Sequence, residues 1–270
     1  MRPLRSIEEL DDAVARVRQR GAASSTNLFA SREELAHWIT RGGVCLSGNE
    51  TSVLVRRRDR DFCRVYHVSA DPESLARQLE LLNGQGGALV ADLVGQPNHI
   101  RSAAGVYAAH GFERYRCLLR MGCLGSTASS HHAADAGVEI ATEDDAPEVL
   151  AFLEQLLDPY VDRLPEETDL RCAAARRNIL LARKAGSPSG VLMFEKTGTT
   201  ALLRYWYVAR EAQGRGTGAQ LIKTFFRLCS EIRRIMLWVA EGNEDSIAKY
   251  RHYGFMRDGL LDQIMLRRAA

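Results

Sequence analysis

The chain has 270 residues, 46% of them hydrophobic and 26% charged, with 36 basic and 34 acidic side chains and a formal net charge of +2. That composition supplies the core of a globular protein with one large domain or two ordinary ones. The charge balance argues against a dedicated nucleic-acid binder, which carries a basic excess. No apolar run approaches the roughly 18 residues that cross a bilayer, so neither membrane nor nucleic acid is expected as a partner.

From Met1 to Arg20 the pattern is charged and helical, without the apolar core of a secretory signal, and a cytoplasmic location is expected. Arg56-Arg57-Arg58-Asp59-Arg60-Asp61 interleaves its own acids between two strand-like segments and reads as a solvated hairpin tip. Arg64–Val68 follows as a strand, rich in β-branched and aromatic residues. Asp71 and Pro72 then form an N-cap and first helical position for a helix to Leu82. A short apolar strand, Ala88–Val94, leads to a helix ending at Gly111-Phe112 and a strand from Tyr115 to Met121. The six cysteines show no metal spacing and read as reduced, mostly buried thiols, so no metal is expected.

Residues 125–137 are small and polar without apolar periodicity, a linker in which His131-His132 read as solvated. The order of elements then repeats. Ala146–Leu157 is helical; Leu202–Val208 is a strand; Gly218–Ile232 is an amphipathic helix; Ile235–Val239 is a strand. A helix ends at Gly254-Phe255, as the earlier one ends at Gly111-Phe112, and Gln263–Leu266 closes the chain as a strand. The alternation predicts a tandem duplication of a mixed α/β fold, with residues 1–124 as the first copy and 138–270 as the second.

Between strand and helix of the second half stands Gln213-Gly214-Arg215-Gly216-Thr217-Gly218. Glycines there let the backbone turn its amides toward one point, and the helix start adds free N–H groups and its positive dipole end. The result is an anion cradle, with Arg215 as a further contact. It lacks the Lys-Ser/Thr of a nucleoside-triphosphate loop and the glycine spacing of a dinucleotide loop. The matching stretch of the first half, Ser69–Ala76, has no glycine, and its Asp71 and Glu73 would repel a pyrophosphate.

The pattern Gln-x-x-Gly-x-Gly at Gln213–Gly218 resembles the signature of the GCN5-related N-acetyltransferase (GNAT) superfamily. Residues 243–255, from Asn243 through Tyr250 to Gly254-Phe255, look like its second motif, with Ser246 where alanine is usual. The resemblance spans about Val138 to Arg268. It implies two tandem GNAT-like domains, each a splayed mixed sheet flanked by helices, with cofactor binding lost from the first. It implies acetyl-CoA as donor, lying where Leu202–Val208 and Ile235–Val239 part, with Tyr207, Val208 and Ala209 on the pantetheine arm. Gln213, Gly214, Arg215, Gly216, Thr217, Gly218 and Ala219 would hold the pyrophosphate, and Asn243 the pantetheine.

Tyr250 matches the tyrosine that protonates the departing thiolate in many members, while Tyr253 reads as packing. The expected reaction is direct attack by a small-molecule or peptide amine, in a monomer or homodimer. Many members carry a strand glutamate as base; here that strand reads Arg204-Tyr205-Trp206-Tyr207, leaving Glu241, Glu195 and Asp158 as substitutes. Glu154, Asp158, Asp162, Glu166 and Glu167 form an acidic cluster that would draw a cationic amine or simply face solvent. A non-catalytic acyl-CoA sensor and an aminoacyl-tRNA-dependent peptidyltransferase of Fem type are the rival readings.

Overall fold

A computed structural model describes residues 1–20, 25–84, 86–125 and 137–269; His131-His132 lie outside them. It divides into two compact units. Unit 2 is Leu119–Asp258; unit 1 is residues 1–118 together with the stretch from Gly259 onward. The chain-order halves expected from the sequence thus differ from the spatial ones at their last strands. Residues 119–124 belong with the second half and residues from Gly259 with the first.

Unit 1 begins with β1 (Arg2–Pro3), α1 (Ile7–Gln19), β2 (Ser25–Thr26), α2 (Arg32–Arg41), β3 (Val44–Gly48), β4 (Ser52–Asp59) and β5 (Phe62–Ser69). α3 (Pro72–Glu80), β6 (Leu89–Gly95), α4 (Pro97–Ala109) and β7 (Glu113–Leu124) follow, β7 running on into unit 2. Asp71 caps α3 as expected, its side chain accepting from Ser74 N–H at 2.7 Å. The sheet order is β1-β3-β4-β5-β6, completed by the C-terminal strand β13 (Met256–Arg267), antiparallel to β6 from Leu261↔Gly95 to Arg267↔Leu89. α1 and α2 bury Leu10, Val17, Leu35 and Trp38 against one face, α3 and α4 bury Leu75, Leu79 and Tyr107 against the other.

The arginine run is not a hairpin tip. Arg56, Arg57 and Arg58 lie within β4, and only Arg60 and Asp61 turn the chain. Asp59 is held there by Arg57 at 2.8 Å and by the buried Arg64 at 2.9 Å, which also reaches Asp92 at 3.1 Å. The interleaved acids neutralise cations that the strand draws inward.

Unit 2 carries β8 (Val138–Ile140), α5 (Ala146–Glu154), α6 (Glu167–Ala175), β9 (Ile179–Lys184), β10 (Ser187–Thr197), β11 (Thr200–Val208), α7 (Thr217–Leu228), β12 (Arg234–Ala240) and α8 (Glu244–His252). Its strand order is β7-β12-β11-β10-β9-β8. α5 and α6 cover the face with Ile179, Leu181, Val191 and Tyr205. α7 and α8 cover the face with Leu180, Leu192, Phe194 and Leu237, where Phe225, Phe226 and Phe255 are buried. Two helices per face, on a sheet with one parallel strand pair at its centre, recur in both units. Among the described residues, no helix is long and apolar enough to cross a membrane.

Candidate active site

β11 and β12 run parallel and in register from Thr200↔Arg234 to Leu203↔Leu237, and there the pairing stops. β11 continues five residues further and β12 three. At the parting point the β10–β11 register slips: Met193 pairs with Tyr205 but Phe194 with Leu203, leaving Arg204 as the extra residue of a bulge. The bulge changes which side chains face which helices. Leu203 lies in the core under α7 and α8, yet Tyr205, two residues on, lies in the core under α5 and α6. Beyond it Trp206 and Val208 face α7 and α8, and Tyr207 faces α5 and α6.

Ala209 N–H donates to Ser189 O at 2.9 Å on the β10 side. By strand alternation the backbone groups of Trp206 and Val208 point the other way, into the opening. Of the three residues expected to meet a pantetheine arm, Val208 therefore presents its backbone, while Tyr207 and Ala209 turn theirs to β10. Trp206 was missed by the sequence reading, because a bulge leaves no local mark in composition. The Val208 carbonyl also accepts from Gln213 Nε2 at 3.1 Å, which gives Gln213 a structural task at the mouth of the loop.

The loop stands at the head of this opening. Gly214 and Gly216 have φ of 72° and 87°, a left-handed backbone that costs little only for glycine, and a Cβ on either would meet nothing within 4 Å. The first hydrogen bond of the helix is Gln220 N–H to Gly216 O at 3.0 Å, so the amides of Thr217, Gly218 and Ala219 are not taken up within it. Beneath, the N-terminal turn of α7 rests on Gly190: a Cβ there would lie 2.9 Å from Leu221 Cδ1, 3.2 Å from Thr217 Cγ2 and 3.3 Å from Tyr207 O.

α8 closes the third side. Asn243 is its N-cap, the side-chain oxygen accepting from Ser246 N–H at 3.2 Å, and it is exposed. Tyr250 packs on Trp206 with ring centroids 5.6 Å apart and on Phe255 at 5.8 Å. Burial pushes its phenol up to about 12, which keeps it protonated. Tyr253 is buried against Trp206 and Phe226. Glu241 lies exposed just past β12.

On the face under α5 and α6, Tyr205 OH donates to Arg163 O, tying the segment after α5 to β11. Burial raises the phenols of Tyr205 and Tyr207, and the Asp162 carboxylate raises both further. The acidic cluster is largely engaged in local structure. Asp162 accepts from Asp158 N–H at 3.0 Å, Asp158 from Tyr160 N–H at 3.0 Å, and Glu167 pairs with Arg171 at 2.8 Å. Glu195, one of the expected bases, pairs with Arg204 of the bulge at 2.8 Å.

Comparison with known proteins follows the same lines. The family model "Acetyltransferase (GNAT) family" matches residues 148–255. Among curated proteins none matches the sequence. Solved structures match over most of the chain. A tandem GNAT protein from the clavulanic acid biosynthesis pathway shares 17% identity, covering 100% of this chain and 98% of its own, with a TM-score of 0.60. A GCN5-related N-acetyltransferase from Sphaerobacter thermophilus shares 14% identity, with 96% and 91% covered and a TM-score of 0.58. One from Kribbella flavida also shares 14%, with 88% and 94% covered and a TM-score of 0.58. At such identities the likeness is one of fold, and it covers both units. Residues 148–255 of the second unit thus match the GNAT family model, the chain as a whole has the fold of tandem GNAT proteins, and a fold of this kind supports acyl-CoA-dependent N-acyl transfer in general terms.

Proposed function

We propose that the chain moves an acyl group, acetyl in the first instance, from acyl-CoA to a primary amine, with unit 2 as its active site. The observation that carries this reading is the opening between β11 and β12, headed by the amides of Thr217, Gly218 and Ala219. A strand edge left unpaired suits the amide-bearing pantetheine arm, which adds to it much as another strand would. The loop suits the pyrophosphate: its glycines leave open space, the first amides of α7 are not taken up within the helix, and Arg215 adds charge.

In this reading the amine attacks the thioester directly, and a backbone N–H near Val208 polarises the carbonyl. No covalent intermediate is needed. Cys229 is buried, and burial pushes its thiol up to about 12, which suits a core residue and not a nucleophile. Tyr250 serves as the general acid for the departing thiolate. For the base, Glu241 remains a candidate by its place after β12, whereas Glu195 is committed to Arg204. Of the acidic cluster, this reading assigns the attraction of a cationic amine to Asp162, whose carboxylate raises the phenols of Tyr205 and Tyr207 on the face under α5 and α6 while it also accepts from Asp158 N–H.

The reading is tested by titrating acetyl-CoA calorimetrically and following thiol release over an amine panel. Saturable binding with turnover on at least one amine supports it. Binding without turnover on any amine favours an acyl-CoA sensor, a reading that draws on Arg204 and Glu195 neutralising each other where a strand base is usual. Failure to bind any acyl-CoA overturns both.

A further inference from the structure

Unit 1 carries the same opening, and it is filled. β5 pairs with β6 only at Cys63↔Leu89 and Arg64↔Val90 before the two strands part. β4 holds the other edge of β5 along its whole length, from Asp59↔Phe62 to Ser52↔Ser69. Into the gap comes β2, antiparallel to β5, with Ser25 opposite Ser69 and Thr26 opposite Val68. Asn27 N–H donates to His67 O at 3.2 Å, and Thr26 Oγ1 donates to the same oxygen at 2.9 Å.

The Asn27 side chain then extends this ladder past the end of the strand. Its Nδ2 donates to Val65 O at 3.0 Å and its Oδ1 accepts from His67 N–H at 2.6 Å, with Asn27 only 4% exposed. One carboxamide thus gives a bond and takes a bond along the edge of a parting strand, which is the pairing chemistry of an amide-bearing ligand arm.

The surrounding groups match those of unit 2. Phe112 N–H donates to Tyr107 O at 3.1 Å, as Phe255 N–H does to Tyr250 O at 3.1 Å, so the two tyrosines are equivalent. His67 stands to Tyr107 as Trp206 does to Tyr250, with ring centroids 5.6 Å apart in both pairs and interplanar angles of 55° and 56°. In unit 1 the phenol is committed: its oxygen lies 3.1 Å from His67 Nδ1, and Ser25 Oγ of the inserted strand lies 2.8 Å from His67 Nε2. At the start of α3, where unit 2 has its glycine loop, the Asp71 carboxylate accepts from Ser74 N–H at 2.7 Å. Amide replaces amide, and anion replaces anion.

We propose that Ser25–Asn27 is a built-in occupant of the unit 1 opening, an internal stand-in for a pantetheine arm, so that unit 1 takes up no acyl-CoA and the chain takes up one. The likeness to pantetheine rests on the reading of unit 2 given above; the seating of the segment does not.

Hydrogen exchange of the full chain, with and without saturating acetyl-CoA, tests it alongside calorimetric stoichiometry. The peptides 25–29 and 62–70 are expected to exchange slowly and alike in both states, with one acetyl-CoA bound per chain. Asn27→Ala, which strips two bonds from buried backbone groups, is expected to speed exchange in both peptides about tenfold or more. Should that variant fail to fold, Ser25→Ala removes only the hydroxyl at His67 and is expected to give a smaller acceleration confined to the same peptides. Two acetyl-CoA per wild-type chain, a change in either peptide on adding acetyl-CoA, or free-chain exchange rates at 25–29 would each overturn the proposal. If no acetyl-CoA binds at all, the reading of unit 2 fails, and the exchange rates of the ligand-free protein decide the seating of the segment alone.

Discussion

The indole of Trp206 lies against the phenol ring of Tyr250, centroid to centroid 5.6 Å, and its Nε1 is buried without a hydrogen-bond partner among the described residues. The contact couples the strand that opens to the helix that carries the proposed acid. It also reaches the loop, since a Cβ on Gly218 would lie 3.6 Å from that same Nε1. Trp206 is therefore the side chain that touches all three parts of the site, and its emission is expected to change when acetyl-CoA binds. Titrating wild type against Trp206→Phe checks this, with Trp38 and Trp238 left as background; an identical change in both proteins would assign the signal elsewhere.

Tyr250→Phe is expected to lower kcat by a factor of about 100 or more, with acetyl-CoA affinity changed less than about threefold. The raised phenol adds a pH signature. Burial lifts its pKa from the ordinary 10 to about 12, so the protonated form persists as pH rises through 10. Wild-type kcat should hold its plateau past pH 10, where an exposed tyrosine would already be losing its proton. A fall centred on pH 10 in the wild-type profile that is absent from the phenylalanine variant would contradict the shift.

Gly190→Ala puts a methyl group 2.9 Å from Leu221 Cδ1 and 3.2 Å from Thr217 Cγ2. Overpacking of this kind costs about 1–3 kcal/mol. Here it also lifts the first turn of α7, and with it the loop amides. A lower Tm together with at least about tenfold weaker acetyl-CoA binding is expected, a tenfold change being about 1.4 kcal/mol. A drop in Tm with unchanged affinity would detach the glycine from the site.

His67 should make unit 1 sensitive to acid. Burial lowers its pKa from 6.5 to about 3, so the folded state holds it neutral while the unfolded chain protonates it below about 6.5. The unfolded state then binds the extra proton, and stability is present above pH 6.5 and lost as pH falls toward 3. The loss approaches about 1.4 kcal/mol per pH unit for one proton. Urea unfolding between pH 7 and 4, followed by the emission of Trp38, should show a steeper decline in wild type than in His67→Gln. Parallel declines would place the acid response on the carboxylates alone.

Arg267 secures the last strand to unit 1. Its guanidinium donates to Leu82 O at 2.6 Å and to His110 O at 3.4 Å and lies 5.3 Å from the centre of the Phe112 ring. Arg267→Ala should destabilise unit 1 by about 2 kcal/mol, through two carbonyls losing a charged donor and a ring losing its cover. Unfolding followed at Trp38 reads this loss, and acetyl-CoA affinity in unit 2 should stay as in wild type.

Much of the site was legible because its chemistry sits in contiguous residues. The loop at Gln213–Gly218, the cap at Asp71-Pro72 and the two Gly-Phe helix ends each announce a backbone conformation within a few positions, and each is found where expected. Helix α7 starts one residue earlier and ends four residues sooner than its apolar pattern suggested. What stayed hidden depends on pairing across distance. β2 is two polar residues with no alternation to mark them, and only its partner β5 makes it a strand. The extra residue at Arg204 is invisible without the register of β10, yet it decides that Tyr205 and Tyr207 face α5 and α6 while Trp206 faces α8. The partner of the final strand is hidden for the same reason: β13 has the pattern of a strand, and nothing within it names β6.

That last strand has a consequence for inheritance. A duplicated gene ordinarily leaves two copies that can be parted again, each free to be lost, moved or fused elsewhere. Here a cut within 125–137 would release a first fragment without β13, exposing the edge of β6, and a second without residues 119–124. Each product would carry a strand it cannot use and lack one it needs, and bare edges of that kind aggregate or exchange. Halves that repeat one fold but trade their last strands in this way are expected to be passed on together.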